Sequence, residues 1–402
     1  MTSGPSIVIV NQHTNNFGDD AAGRALIEGL AALNPSKIDV FYIWHANSKT
    51  LPKYLAIQAN HAPDVTSGIS DTRRHLAWQV FRRFARLAPS REVDLLLEKT
   101  RSAEAVLVSP AGSNLGIYKD WMYLFVLLIL VLDGTRPIFV QNTVGPSNSR
   151  LFNALARYVL KRSLVFVREQ RSQEYLASKG ITSVLGVDTA FLLPEAHNFT
   201  TNEEKYVAVV PTQLSNWHRD FQADKRASYL DEIITGIARF SNEQGIPVKI
   251  LPHLYGRHSE EPFLLRFHSG LTEAGCNSEI ASIESLGDYR GVIARSLAVV
   301  SMRYHGLVLA GLEKVPCISL AYENKMSEAA SYLGLLPLAL SVNVASSDGI
   351  TRALEDAVTN RDHWRKILDG RVPTLRRIAS LPLLPIFADV LRESHESEEV
   401  PS

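Results

Sequence analysis

The chain has 402 residues, which exceeds what one ordinary hydrophobic core supports and fits two domains of common size. Lys and Arg together number 42, and Asp and Glu together number 42, so the formal net charge is zero. The overall charge therefore does not attract nucleic acid, and no nucleic acid is expected as a partner. The two cysteines, Cys276 and Cys317, lie far apart, which excludes a disulfide framework.

The composition also bears on the compartment. Few cysteines suit a reducing environment, and the apolar run at residues 7–10 is too short for the core of a signal peptide. We therefore expect a cytoplasmic protein.

Short apolar runs alternate with helix-length segments, which is the rhythm of βαβ units in a parallel sheet. In the first half, the predicted strands are residues 7–10, 40–43, 105–108, 138–140 and 164–167. In the second half, they are residues 206–210, 248–251, 297–300 and 317–320. The polar residues 194–205 separate the two sets and have the composition of a linker.

A long apolar run lies in the first half, where residues 121–132 are bounded by Asp120 and Asp133. Twelve residues fall well short of the roughly 20 that a spanning helix needs. The run therefore predicts a helix buried against the sheet.

The segment from Arg73 to Arg86 interleaves Trp78, Phe81 and Phe84 with basic residues. The simpler interpretation is a solvated amphipathic helix that packs by its aromatic side. The alternative is a surface for anionic lipid headgroups, which would place the protein peripherally at the inner face of the membrane.

Polar residues gather just past the predicted strand ends, where open parallel sheets bind their ligands. This pattern predicts an α/β protein of GT-B-like architecture, with two Rossmann-like domains whose mostly parallel sheets face a central cleft. The expected domains are residues 1–193 and 206–374, joined by the linker at 194–205. A helix at residues 375–393 could cross back to the first domain, and residues 394–402 form a disordered tail.

Several site templates are absent from the sequence. There is no Gly-x-x-x-x-Gly-Lys-Ser/Thr and no Gly-x-Gly-x-x-Gly, which weakens the case for nucleotide hydrolysis and nicotinamide chemistry. His-Glu-x-x-His and Cys-x-x-Cys are also missing, so no protein-bound metal is expected.

One short motif favours an anion as ligand. The apolar run at residues 298–300 ends at Ser301, which could cap a helix, and Arg303 and His305 would lie in its first turn. Free backbone N–H groups and the helix dipole favour anions there, and Gly306 could let a ligand approach the backbone. The alternative is a surface Arg beside a core His.

This motif resembles an element of the polysaccharide pyruvyl transferase family, together with the Pro, strand and Tyr-x-x-Lys run from Pro316 to Lys325. Further similar elements, in the family's order, are residues 16–21 (Asn-Phe-Gly-Asp-Asp-Ala), 144–146, 167–169 with Ser172 and Gly180, and 188–193. The chain departs from the family at the usual Gly-rich loop, which is Ser-Pro-Ala-Gly-Ser-Asn at residues 109–114, and it lacks an Asp near His253.

The resemblance implies transfer of the enolpyruvyl group of phosphoenolpyruvate onto two sugar hydroxyls, with formation of a pyruvate ketal in exopolysaccharide or cell-surface polysaccharide synthesis. Phosphoenolpyruvate is then a co-substrate, and no cofactor and no metal is expected. The acceptor would be a sugar or a lipid-linked oligosaccharide. The oligomeric state does not follow from the sequence.

The second domain would hold the donor. Because phosphoenolpyruvate is a small trianion, it needs several cationic groups, and guanidinium groups hold phosphate and carboxylate best. The expected donor-binding residues are Arg168, Arg303, Tyr304, His305, Gly306 and Lys325. For Arg168, the alternative to donor binding is an ion pair with Glu169 or Asp188. For Lys325, the alternative is a solvated position on a helix. Tyr322 and Lys325 would share one face of that helix, which favours the binding role.

The first domain would hold the acceptor. The expected acceptor-binding residues are Asn16, Gly18, Asp19, Ser113, Asn114, Trp217 and His253. For Asp19, an ordinary cap on a helix that begins near Ala21 is a strong competing interpretation.

The implied chemistry assigns catalytic roles to His305 and Asp19. A histidine can donate and accept a proton near neutral pH, so His305 is the expected acid toward the methylene carbon, and Asp19 a plausible base toward a sugar hydroxyl. Two alternatives stay open: a GT-B glycosyltransferase that uses a nucleotide sugar, and a non-catalytic glycan-binding member of the family.

Overall fold

The computed structural model describes residues 4–43, 60–62, 72–195, 205–214 and 226–386. The predicted tail at residues 394–402, most of the predicted linker and the acceptor candidate Trp217 lie outside these ranges. The described chain divides into two compact α/β units, each built on a parallel sheet.

The first unit contains a seven-stranded sheet of order β3-β2-β1-β4-β5-β6-β7, in which every pairing is parallel. Its strands are β1 (Ser6–Gln12), β2 (Lys37–Tyr42), β3 (Asn60–Ala62), β4 (Ala105–Val108), β5 (Ile138–Asn142), β6 (Leu164–Val167) and β7 (Val184–Leu185). Its helices are α1 (Phe17–Ala31), α2 (Thr72–Phe84), α3 (Arg91–Ser102), α4 (Trp121–Leu132), α5 (Arg150–Leu160) and α6 (Gln170–Ser178).

Alternating strand residues of this sheet enter two separate cores. Val8 and Val10 of β1 join a core with α2 to α5, whereas Ile7 and Ile9 join one with α1 and Leu383. Both faces of the central strands are covered, which explains their continuous apolar runs.

The predicted buried helix is confirmed at residues 121–132. Its first turn is capped by Asp120, whose side chain accepts from the backbone N–H groups of Met122 and Tyr123 at 3.1 and 3.0 Å. No helix in the described ranges combines the length and the apolar character needed to cross a bilayer.

The second unit contains a six-stranded parallel sheet of order β10-β9-β8-β11-β12-β13. Its strands are β8 (Val207–Val210), β9 (Val248–Ile250), β10 (Ser278–Ile280), β11 (Ala298–Ser301), β12 (Cys317–Ala321) and β13 (Ala339–Ser341). Its helices are α7 (Arg226–Gln244), α8 (Glu261–Glu273), α9 (Leu286–Arg295), α10 (Tyr304–Leu312), α11 (Asn324–Leu333), α12 (Ser347–Thr359) and α13 (Arg361–Ala379).

The division between units follows the chain with two exceptions. It falls between Leu193 and Pro194, but residues 15–18 belong to the second unit and residues from Arg376 onward belong to the first. Within the described residues, α13 occupies residues 361–379 and contains Pro373, so it overlaps the start of the predicted helix at residues 375–393, whose last residues lie outside the described ranges. Beyond it, Leu383 packs in the core of the first unit.

The nine predicted strands are all present, and the described residues contain four further strands that were not predicted. Those four, β3, β7, β10 and β13, are the edge strands of the two sheets. They are two or three residues long, and β7 is exposed, so they lack the apolar run that marks a buried strand.

The prediction that α2 packs by its aromatic side is wrong. Trp78 and Phe81 are each 52% exposed and Phe84 is 76% exposed, whereas Leu76 and Gln79 on the opposite face are buried. The aromatic side of this helix therefore faces solvent.

Candidate functional site

The start of α10 lies at a point where the strand order of the second sheet reverses. The chain passes outward from β8 to β9 and β10 on one side and from β11 to β12 and β13 on the other. Parallel sheets bind ligands beyond the carboxyl ends of strands at such a switch point. The loops that follow β8, β9 and β11 carry Thr212, His253 and Arg303 at this edge, and the helix that follows β12 carries Lys325 in its first turn.

Ser301 does not cap α10 as predicted, because it is the last residue of β11 and the helix begins three residues later. The cap position is Arg303, whose backbone is extended and whose side chain makes no capping bond. The Ser301 hydroxyl instead accepts from the backbone N–H of Arg303 at 3.1 Å and donates to its carbonyl at 2.7 Å. Ser301 thereby sets the turn that presents Arg303.

The Arg303 guanidinium is held by a carboxylate that sequence reasoning missed. Its Nη2 donates to Glu260, whose other oxygen accepts from the Thr212 hydroxyl and the Gln213 backbone N–H, each at 3.2 Å. The Nε of Arg303 is buried and has no hydrogen-bond partner among the described residues. Because this N–H group is unused, the guanidinium can still donate a hydrogen bond to an anion.

Two histidine rings stack beside Arg303. The rings of His253 and His305 lie 6.4 Å apart at 19°, and Nδ1 of His253 is 2.9 Å from the hydroxyl of Tyr289. Burial, followed by the nearby Arg303 and His305, lowers the pKa of His253 well below its usual range. His253 is therefore neutral at physiological pH and can serve as a hydrogen-bonding group but not as a cation.

Residues 15–18 are anchored on the same part of the second unit. The Phe17 ring packs between Tyr255 and Tyr289, with centroids 4.9 and 5.1 Å away, and its backbone N–H donates to the carbonyl of His253 at 3.1 Å. Asn16 forms an antiparallel bridge with Leu254. The Asn-Phe-Gly element and the Arg-Tyr-His element, remote in sequence, thus meet.

Gly18 is placed directly against the catalytic candidate. A Cβ at Gly18 would overlap the Nδ1, Cγ and Cβ atoms of His305. The absent side chain of Gly18 therefore makes room for the His305 ring, a packing requirement that accounts for glycine here.

The expected start of α1 near Ala21 is wrong, because the helix begins at Phe17. Asn16 caps it, since its side-chain oxygen accepts from the backbone N–H of Gly18 at 2.8 Å. Asp19 is not the cap and lies partly exposed in the first turn, where a carboxylate suits the helix dipole. The acceptor-binding roles of Asn16 and Asp19 stay predictions.

Gly306 has a packing role in addition to its predicted one. A Cβ there would overlap the Ser301 hydroxyl and come within 3.3 Å of the Val210 side chain, so the glycine lets α10 pack against strand ends. Tyr304 is buried, and its hydroxyl lies 3.2 Å from that of Tyr332. Donor binding by either residue stays a prediction.

Lys325 lies in the first turn of α11, with its ammonium 2.6 Å from Glu323 and 6.0 Å from the centroid of the Tyr304 ring. Tyr322 precedes this helix, so the expectation that Tyr322 and Lys325 share a helix face is wrong. The side chain of Lys325 is 14% exposed, which contradicts a solvated position.

Arg168 follows β6 in the first unit and forms an ion pair. Its Nη1 donates to Asp188 at 2.6 Å, and Nε donates to the Thr143 hydroxyl at 3.2 Å. The side chains are 3% and 0% exposed. The structure therefore shows the pairing with Asp188 that was the alternative, and donor binding by Arg168 stays a prediction.

Ser113 and Asn114 lie in the loop after β4. The Ser113 hydroxyl accepts from the backbone N–H of Ile117 at 3.2 Å, and the Asn114 amide is 2.8 Å from Nε2 of His13. Gln12 accepts from Ser109 at 2.6 Å nearby. These contacts join the polar residues that follow β1 with those that follow β4, two of the strand ends where the sequence predicts polar loops. Acceptor binding by Ser113 and Asn114 stays a prediction.

The described residues contain no group of three or more His, Cys, Asp or Glu arranged to hold a metal ion. Cys276 and Cys317 are both buried and free.

Several solved structures that share this fold are UDP-N-acetylglucosamine 2-epimerases. A putative UDP-N-acetylglucosamine 2-epimerase from Listeria monocytogenes has a TM-score of 0.64 at 11% identity and covers 97% of each chain. The UDP-GlcNAc 2-epimerase from Neisseria meningitidis bound to UDP-GlcNAc scores 0.62 at 12% identity, with 94% of this chain and 100% of that chain covered.

Glycyrrhiza uralensis UGT73P12, solved with glycyrrhetinic acid 3-O-monoglucuronide, scores 0.56 at 10% identity, with 98% of this chain and 97% of that chain covered. At such low identity these likenesses show the fold alone, and they confirm the predicted GT-B-like class of two parallel-sheet α/β domains.

No curated protein sequence matches this chain. The family model for polysaccharide pyruvyl transferase matches residues 16–324 of the 402, a range that includes both the Asn-Phe-Gly element and the start of α10. This chain therefore belongs to the polysaccharide pyruvyl transferase family, a family of transferases.

Proposed function

We propose that this protein transfers the enolpyruvyl group of phosphoenolpyruvate onto two hydroxyls of a sugar in a glycan or glycan precursor. The main supporting observation is the start of α10, where Arg303 occupies the position before the first helical residue and two stacked histidines lie beside it. A helix N-terminus and a guanidinium with a buried, unpartnered Nε suit a phosphate or a carboxylate.

The reaction balances without a cofactor. An acid protonates the methylene carbon of the donor, a sugar hydroxyl attacks the adjacent carbon, and phosphate leaves as the second hydroxyl closes the ketal. One hydroxyl proton restores the acid, and the other leaves with phosphate.

The chain's residues would divide this work. Arg303, Lys325 and the helix N-terminus would hold the donor anions and the departing phosphate. His305 would deliver the proton, and Asp19 would accept one from the sugar. Neutral His253 would donate or accept a hydrogen bond beside His305 without adding a like charge.

Binding by phosphoenolpyruvate and by nucleotide sugars tests the proposal. At about 100 times its dissociation constant, a ligand raises the free energy of unfolding by about 2.7 kcal/mol, which a thermal shift detects. We expect stabilisation by phosphoenolpyruvate that is lost in Arg303→Ala and retained in Arg266→Ala, which removes an exposed arginine from α8 of the same unit.

Three outcomes would contradict the proposal. Stabilisation by UDP-sugars alone would favour the glycosyltransferase alternative. Phosphoenolpyruvate binding without phosphate release across a panel of sugar acceptors would favour a non-catalytic member. Equal affinity of Arg303→Ala and the wild type would remove Arg303 from the donor site.

A further inference from the structure

The outer face of α2 carries a cluster of exposed aromatic residues. Trp78 and Phe81 are each 52% exposed and stack with ring centroids 5.1 Å apart, and Phe84 is 76% exposed. Leu87, just past the helix, is 48% exposed. A contiguous apolar patch of this kind on a protein surface commonly marks an interaction site. We call these four residues the aromatic patch.

The opposite face of the same helix is fully used in folding. Leu76 joins the core of the first unit, and Gln79 accepts from the backbone N–H of Ser90 at 3.0 Å. Arg83 forms an ion pair with Asp133 at the end of α4. Because these contacts fix the orientation of α2, rotation of the helix cannot bury the aromatic patch.

The segment that carries the patch is rich in arginine. Residues 72–91 contain six arginines and no acidic residue. Arg73, Arg74 and Arg86 are exposed, and Arg74, Trp78 and Phe81 stand at i, i+4 and i+7, so they share one helix face. The exposed surface therefore combines aromatic rings with guanidinium groups.

We propose that this surface docks on a membrane that contains anionic lipids, with the aromatic patch at the boundary between headgroups and acyl chains. Tryptophan and phenylalanine with arginine on one helix are the composition of interfacial helices that lie in the membrane plane. Pairing of the patch with a second copy across a twofold axis would bring its arginines together, which like-charge repulsion opposes. The proposal is independent of the donor site.

Flotation of the full chain with vesicles tests the proposal. We expect binding to vesicles of three parts phosphatidylcholine to one part phosphatidylglycerol, and little binding to pure phosphatidylcholine. Each arginine near an anionic surface contributes about fivefold in partitioning, so Arg74→Glu/Arg86→Glu should weaken binding by at least roughly 25-fold. Added salt should weaken it as well.

The apolar contribution is tested by Trp78→Ser/Phe81→Ser, which should weaken vesicle binding by at least about tenfold. Two matched controls should bind as the wild type does: Leu151→Ser/Leu265→Ser, which removes exposed leucines elsewhere, and Arg352→Glu/Arg365→Glu, which reverses exposed charges in the second unit. All four variants change exposed side chains, so their unfolding midpoints should match that of the wild type.

Quenching of tryptophan fluorescence by brominated lipids locates the contact. Trp78→Phe should still bind vesicles and should show less quenching than the wild type, because it removes the half-exposed tryptophan of the aromatic patch. Unchanged quenching in Trp78→Phe, equal binding to neutral vesicles, or a lipid-free dimer that Trp78→Ser/Phe81→Ser dissociates would each overturn the proposal.

Discussion

Gly18 lies so close to His305 that a Cβ on the glycine would overlap the imidazole ring. The two residues are remote in sequence, and the backbone bond from Phe17 to His253 keeps Gly18 in place. The Asn-Phe-Gly element therefore acts on the histidine pair through packing, which gives it a positioning role beside the proposed acid.

Substitution Gly18→Ala tests this contact. The added methyl group must displace the His305 ring, so we expect destabilisation by about 1 to 3 kcal/mol and a loss of turnover larger than the loss of phosphoenolpyruvate affinity. Denaturant unfolding and phosphate release measure the two effects. Gly370→Ala is the control, since a Cβ at Gly370 of α13 meets nothing within 4 Å. Wild-type stability and turnover in Gly18→Ala would show that the ring is not held there.

If Arg303 binds the donor as proposed, Glu260 competes with the donor anion for its guanidinium. Replacing it by Gln removes one negative charge beside the proposed phosphate position, so phosphoenolpyruvate should bind about tenfold more tightly in Glu260→Gln. Calorimetry gives the dissociation constants. The adjacent and exposed Glu261 supplies the control Glu261→Gln, which should bind as the wild type does. Weaker binding in Glu260→Gln would mean that the carboxylate orients the guanidinium for the donor.

His305→Gln separates proton transfer from binding. Glutamine keeps a hydrogen-bond donor but cannot supply the proton, so turnover should fall about 10²- to 10⁴-fold while donor affinity falls modestly. Single-turnover phosphate release and calorimetry check the two quantities. If both decline together, His305 only positions the phosphate, and Lys325 becomes the next residue to test as the acid.

The lowered pKa of His253 makes stability depend on pH. At acidic pH the unfolded chain binds a proton at this residue that the folded protein excludes, so its contribution to stability is complete above about pH 6.5 and is lost as pH falls. Below that pH, protonation of this residue should lower the free energy of unfolding by up to roughly 1.4 kcal/mol for each pH unit. Denaturant unfolding from pH 8 down to pH 5 measures it.

His253→Gln should remove this contribution to the pH dependence of the free energy of unfolding. His363→Gln, at an exposed position on α13, should leave that pH dependence unchanged. The same pH dependence in His253→Gln and the wild type would show that the folded protein readily protonates His253.

The buried pair of Arg168 and Asp188 is expected to support the fold of the first unit. Arg168→Ala leaves an unpaired carboxylate in the interior and should destabilise the protein by about 3 to 5 kcal/mol. Arg168→Met/Asp188→Leu removes both charges and should recover most of that loss. Denaturant midpoints give both values.

An exposed pair provides the control for this comparison. Arg239→Ala, which breaks an ion pair with Asp348 at the surface, should leave the midpoint unchanged. If Arg168→Met/Asp188→Leu unfolds normally but no longer binds phosphoenolpyruvate, the arginine serves the donor as well as the fold.

The sequence alone determined the central strands of both sheets and the helix at residues 121–132. These elements are buried on both faces or bounded by capping residues, and both properties leave a pattern among sequence neighbours. The same local patterns carried the family resemblance, because strand ends and helix starts keep their motif residues within a few positions.

Only the tertiary structure decided which side chains meet. Edge strands bury little and pair on one side, so they left no apolar run to find. Three contacts join residues that are separated along the chain: Glu260 with Arg303, Gly18 with His305, and Arg168 with Asp188. The aromatic rings of α2 face solvent for a similar reason, because the opposite face of the helix contacts the core and the end of α4. Such pairings depend on how the sheet orders its strands, which local periodicity does not encode.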